Sequence, residues 1–296
     1  MRAWRQRDMD RRNFLTAFIG APAVAALIAA CGDDTVQPAD TSPPGTEAPA
    51  GITHPTGADE MLLRIGYEGG FVTPDMLFAR IPTLLITGDG RAIVPGAVAA
   101  VYPGPLVSPL FQRSIDETGI QTILELARDK GLLAAAPDYS VPPDGPQVAD
   151  APDTVVEIAA NGTSYRHQAY ALGFDGLTST PARDALNAFV TALSDLAAAA
   201  GADHLGAEEP FEPSAFRVRA TPVDPAQFTE PAPTIREWPA DTGIVLAQAS
   251  NCAVADATKV ATLLDESNQL TFFTEADSAV TYQLAVVQQL PGDNPC

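Results

Sequence analysis

Lysine is nearly missing from this chain: Lys130 and Lys259 are the only two in 296 residues. All basic residues together number 17 against 37 acids, a formal charge of −20. A surface this acidic repels phosphate backbones and anionic headgroups. No basic run interrupts it, so nucleic acid is not an expected partner. Cysteine and histidine are scarce too, at three each. Cys252 and Cys296, with His167 and His204 far away in sequence, match no standard ligand spacing, so no metal is expected. Catalytic signatures are absent as well. There is no G-x-S-x-G elbow, and no S-x-x-K, H-E-x-x-H or calcium-loop pattern. "GDGR" at 88–91 lacks the spacing and lysine of a phosphate loop. The acids are many but dispersed, and without geometry none takes an acid–base role. No cofactor motif is present, so no cofactor is inferred. The first apolar run, Phe14 to Ala30, is only seventeen residues, Ala-rich, and broken by Gly20 and Pro22. A spanning helix wants about 20 strongly apolar residues.

That run belongs to an ordered N-terminal pattern. Five arginines precede it, against Asp8 and Asp10. A basic region, a short apolar region and small residues at its end make a secretory signal. Arg11-Arg12-Asn13-Phe14-Leu15 resembles the twin-arginine export motif, keeping both arginines and the Phe14-Leu15 pair. Ile28-Ala29-Ala30-Cys31 resembles a bacterial lipobox. That resemblance implies a diacylglyceryl group on Cys31 and cleavage before it, hence attachment to a membrane through lipid. Residues 1–30 are therefore expected to be the signal. The remainder is expected on the outer face of the plasma membrane, in the cell envelope. Cleavage removes five arginines and two aspartates and moves the formal charge from −20 to −23.

Residues 31–58 read as a Pro-rich tether that cannot bury enough surface to offset its ordering entropy, with His54 in solvent. Two cysteines remain in the exported chain, and Cys252 and Cys296 are expected to form one disulfide pinning the C-terminus.

The rest alternates between strand and helix periods. Met61 to Tyr67 reads as a half-buried strand. Asp89-Gly90 predicts a two-residue hairpin turn, which sets Ile86 opposite Ile93 and Leu85 opposite Val94. Asn161-Gly162, formally a glycosylation sequon with Thr163, reads as the tip of a second hairpin. That register pairs Glu157 with Arg166 and Ile158 with Tyr165. Ile120, Ile123, Leu124 and Ala127 have helical spacing, with Thr118 and Gln121 as a capping box. A further helix starts at Thr180-Pro181. After a proline-rich stretch, short strands are expected at "AFRVRAT" and at 243–249. A helix follows over 259–266, then a hairpin over 270–290. The class is α+β: antiparallel hairpins with helices packed on one face, and a helix–hairpin order that recurs. The expected division is 59–205 and 206–296, the second part disulfide-pinned and packed on the first.

"YEGGF", Tyr67-Glu68-Gly69-Gly70-Phe71, ends the first strand with two glycines, and Phe71 and Phe78 follow in a proline-flanked loop. Such a bend either packs its aromatics on the body or presents them to a partner. His167 falls opposite Val156 and is expected to be a partly buried structural histidine, with a catalytic role as the competing assignment.

The twin-arginine start, the lipobox, "YEGGF", the "DGR" turn and the "NPC" end together resemble actinobacterial-type envelope lipoproteins, which implies a location but no activity. Over 62–196, Gly69-Gly70 and the element order resemble emfourin-type inhibitors of secreted metalloproteases, which implies an inhibitory contact at Gly69–Phe71. Three functions remain open. The first is a non-enzymatic lipid-anchored module that binds a protein or small ligand. The others are an envelope protease inhibitor and a hydrolase with dispersed acidic residues.

Overall fold

The computed structural model describes residues 51–143, 148–174 and 179–296. Arg11, Arg12, Phe14, Leu15 and Cys31 lie outside the described residues. Pro49–Cys296 is a single compact unit.

The class is α+β. In chain order the strands are β1 Met61–Gly69, β2 Leu84–Thr87, β3 Arg91–Pro95, β4 Leu110–Ser114, β5 Pro152–Ala160, β6 Thr163–Tyr170, β7 Glu209–Pro210, β8 Ala215–Val223, β9 Thr234–Glu237, β10 Ala253–Asp256, β11 Thr271–Thr274 and β12 Thr281–Gln288. The helices are α1 Pro74–Phe78, α2 Glu117–Asp129, α3 Pro181–Leu193, α4 Leu196–Ala200 and α5 Ala257–Asp265. A seven-stranded sheet runs β6-β5-β1-β2-β3-β4-β7, and a five-stranded sheet runs β10-β8-β12-β11-β9. The first is antiparallel throughout, whereas β9 joins β11 in parallel. No helix among the described residues is long and apolar enough to cross a membrane.

On one face of the large sheet, Leu63, Ile65, Leu84, Ile86 and Ala92 pack against Ile123 and Leu124 of α2 and Leu186 and Phe189 of α3. The opposite face carries Leu85, Ile93 and Leu110 against Leu290, just past β12. The C-terminal segment thus covers the side that helices α2 to α4 leave open. The small sheet has its own core around Trp238, Phe273, Val260 and Leu264.

The second hairpin has the expected register: Glu157 opposite Arg166 and Ile158 opposite Tyr165. Asn161 takes the left-handed φ of 53° that a tight turn requires. The first hairpin is one residue out of the expected register. Leu85 faces Ile93 and Ile86 faces Ala92, because Gly88-Asp89-Gly90 forms a three-residue loop with Gly90 left-handed at φ 80°. A one-residue slip exchanges the faces of a strand; it sends Leu85 and Ile93 to the Leu290 side and Ile86 and Ala92 to the helices.

Other expectations are corrected. Helix α2 is capped by Asp116, whose carboxylate accepts the Gly119 N–H at 3.0 Å, not by a Thr118–Gln121 box. Gln121 reaches instead to Ile52, accepting its N–H at 2.8 Å and donating to its carbonyl at 2.9 Å. The expected tether therefore ends before residue 58: Ile52 is buried in the main core, and the Thr53 carbonyl accepts the Asn161 N–H at 2.7 Å. His54 is not in solvent, since its ring is nearly buried beside Glu117 at 3.1 Å. Residues 243–249 form no strand; Leu246–Gln248 is a 3-10 turn whose Leu246 fills the small core. The first sheet extends past residue 205 to β7, so its end lies four residues or more beyond the expected boundary.

Cys252 and Cys296 are joined, with sulfurs 1.97 Å and Cα atoms 5.8 Å apart. Closing a loop with a sequence separation of 44 contributes about 4 kcal/mol in the chain-entropy account.

Candidate functional site

Strand β1 outruns its neighbour β2. Their last paired residues are Ile65 and Leu84, and the Thr83 N–H donates to the Ile65 carbonyl at 2.8 Å. The next carbonyls on that edge, at Tyr67 and Gly69, have no strand beside them on this side. Arg80 supplies the donors. One guanidinium nitrogen donates to Tyr67 O at 3.2 Å and to Gly69 O at 3.0 Å. An unpaired strand edge needs such partners where water is partly excluded.

Gly69 and Gly70 then take successive left-handed φ values of 62° and 80°, which glycine adopts without a Cβ clash. Phe71 donates its N–H to the Asp150 carbonyl at 3.4 Å, and its ring is 87 % exposed. Thr73 caps α1 by accepting the Met76 N–H at 3.3 Å. Met76 and Leu77 of α1 are exposed, as is Tyr67. Phe78 is not the outward aromatic its loop position suggests. It is half-buried, with the Arg217 guanidinium 5.9 Å from its ring centroid. The turn is therefore held at both ends: by Arg80 on the strand side, and by Phe78 under the helix.

Beneath the turn lies a groove of about 260 Å³, lined by Arg64, Glu68, Leu77, Arg80, Val155 and Glu157 among others. Arg166 bridges two of its acids, donating to Glu157 at 2.8 Å and to Glu68 at 2.7 Å. Glu68 first, and Glu157 after it, hold the Arg166 guanidinium protonated above its ordinary range. One cation thus ties two acids of the groove together.

The five sequence-predicted residues form one feature with divided tasks. Glu68 turns into the polar groove, Gly69 and Gly70 make the bend, and Tyr67 and Phe71 offer apolar surface. Sequence reasoning missed Arg80, Met76, Leu77 and Arg166 as parts of it. The Thr73-Pro74 capping signal could have revealed α1 and its exposed apolar pair. Nothing in sequence spacing announces Arg80.

His167 lies elsewhere, fully buried opposite Val156. Its Nε2 is 2.8 Å from the Leu132 carbonyl and its Nδ1 is 2.8 Å from the Tyr139 hydroxyl. Burial pushes its pKa below the ordinary 6.5. It tethers the segment after α2 to the sheet. Among the described residues, no three His, Cys, Asp or Glu side chains converge as a metal site. In comparisons with known proteins, the chain matches no family model, no curated protein and no solved structure.

Proposed function

We propose that this chain is an exported, lipid-anchored binding protein that docks a protein partner through the Tyr67–Phe71 turn and α1. The observation that carries this reading is Phe71, 87 % exposed at the tip of a turn held at both ends. Exposing a large aromatic costs solvation free energy, and clustered exposed apolar side chains mark contact surfaces. Here Tyr67, Met76 and Leu77 stand close to it in the chain, all exposed. A rigid loop loses little entropy on binding, so more of its contact energy becomes affinity. The same projecting shape suits insertion into an enzyme cleft, which keeps the protease-inhibitor alternative within this reading.

The experiment is capture of envelope and secreted proteins on immobilised Pro49–Cys296, the compact unit, followed by affinity measurement. Phe71→Ala should weaken the captured partner roughly thirtyfold or more, the effect of losing about 2 kcal/mol at a central aromatic contact. A partner held equally well by the variant would place the interface elsewhere. Slowing of a captured protease would select inhibition.

The location rests on Arg11, Arg12, Phe14, Leu15 and the lipobox ending at Cys31. Cys31→Ala should move the chain from the membrane fraction to the soluble fraction. Tight membrane retention of that variant would overturn the anchor.

A further inference from the structure

A second concavity, of about 480 Å³, lies on the other side of β1, between the large sheet and its helices. Ile65, Leu84 and Val94 line it from the strands; Val190, Leu193 and Leu196 line it from the helices. It sits at the break between α3 and α4, where Ser194 ends one helix and Asp195 caps the next by accepting the Ala198 N–H at 3.0 Å. The walls are therefore largely aliphatic.

One cation lines this cavity: Arg113 of β4, whose strand partner Ala92 belongs to the helix-side core. Among the ten described arginines, seven pair with carboxylates. Arg80 and Arg183 donate to backbone carbonyls instead. Arg113 does neither; its Nε is buried without a hydrogen-bond partner, as is that of Arg217, but Arg217 still has the Asp293 carboxylate 3.8 Å away. Burying a guanidinium nitrogen without a partner is costly, and Arg113 has no carboxylate or carbonyl partner of the kind the other described arginines have. Glu208, the one carboxylate on the lining, is exposed and forms no ion pair with it.

We infer that this cavity binds a free single-chain carboxylate, a medium-chain fatty acid. Its headgroup lies on Arg113 and its alkyl chain lies along Leu84, Val94, Val190 and Leu193. The planar guanidinium fork matches a carboxylate in two-bond geometry. The aliphatic walls match a chain of methylenes, each favouring burial. A formal charge of −20 works against a doubly charged head such as a phosphate monoester, so a monoanion fits best. The volume falls within the range of small-ligand pockets.

The test is titration calorimetry of Pro49–Cys296 with decanoate, decanol and decylammonium, which share a chain and differ in head charge. Decanoate should bind saturably, one per chain, and at least roughly tenfold more tightly than decanol, as a charge-assisted contact requires. Decylammonium should not bind at this site. Arg113→Gln should bring decanoate down to the decanol level while leaving decanol unchanged. Val190→Trp, which fills the cavity, should abolish binding of both. Circular dichroism and thermal melting establish that each variant is folded. If Arg113→Gln does not fold, the headgroup comparison on the unaltered chain together with Val190→Trp decides. The inference is overturned if decanoate binds no better than decanol, or if its affinity survives either folded variant.

Discussion

Replacing Arg183 with Met is expected to destabilise the folded chain by about 3 kcal/mol, because it strands two backbone carbonyls and leaves a third, that of Ala171, with only the long Phe174 N–H bond at 3.5 Å. Arg183 sits in the first turn of α3, only 2 % exposed. One arm of its guanidinium donates to the Tyr139 carbonyl at 2.7 Å. The other donates to Tyr170 O at 2.9 Å and to Ala171 O at 3.2 Å. Three chain segments meet there: the stretch following α2, the end of β6, and the start of α3. Each buried acceptor left without a donor costs about 1–3 kcal/mol, partly offset because a buried charge leaves with the side chain. In a chain of this size the loss should lower Tm by roughly 6–12 °C. Arg183→Lys should recover less than half of it, since one ammonium cannot reproduce a fork that reaches acceptors on two sides. Chemical denaturation of both variants reads the effect. A loss below about 1 kcal/mol for Arg183→Met would mean that water or rearrangement satisfies those carbonyls.

Arg183 also shows where sequence reasoning stops. Its helix was legible: Thr180 caps it, accepting the Arg183 N–H at 3.3 Å, and Pro181 opens it. A charged residue in a first turn reads as a solvated one, and only the distant carbonyls of Tyr139 and Tyr170 make it internal. The same division runs through the fold. The second hairpin was readable because its register is set locally, by Asn161-Gly162 and by alternation along both arms. The first hairpin slipped because Gly88 and Gly90 flank Asp89 and permit a longer loop; the identity of the turn residues leaves both registers open. Strands β7 and β9 escaped detection for another reason. They are two and four residues long, and their pairing partners, β4 and β11, lie far away in sequence. The apolar run Ile244-Val245-Leu246 suits a strand, but burial alone cannot separate a 3-10 turn from an extended segment. At the candidate site, the glycines and aromatics of the turn were visible. The clamp by Arg80 and the Glu68–Arg166–Glu157 bridge were not, since each depends on which strands become neighbours.

Acidification should weaken the fold through His167 before any of the aspartates with lowered pKa titrate. The Leu132 carbonyl can only accept, so Nε2 must carry the imidazole proton and Nδ1 must accept from the Tyr139 hydroxyl. The buried ring is thus a neutral tautomer with both nitrogens satisfied. A second proton would place a charge where the ring is fully buried, and would face the donor that Nδ1 now accepts. Desolvation accordingly lowers the folded-state pKa below the ordinary 6.5. Below that value the unfolded chain takes up the proton and the folded chain does not. Stability should therefore fall by about 1.4 kcal/mol per pH unit as pH drops below 6.5, until the folded-state pKa is reached, and be insensitive to this group above it. The aspartates act in a different window. Backbone and side-chain hydrogen bonds lower Asp116, Asp138 and Asp256 from 3.8, so their contribution is present above that pH and lost only below it. His167→Gln separates the two. A glutamine amide can still donate to Leu132 and accept from Tyr139 but does not titrate, so the variant should lose the slope just below pH 6.5 and keep the one below 3.8. Denaturation midpoints across this range measure both. An unchanged upper slope in the variant would remove His167 as the acid-sensitive fastening of the segment after α2.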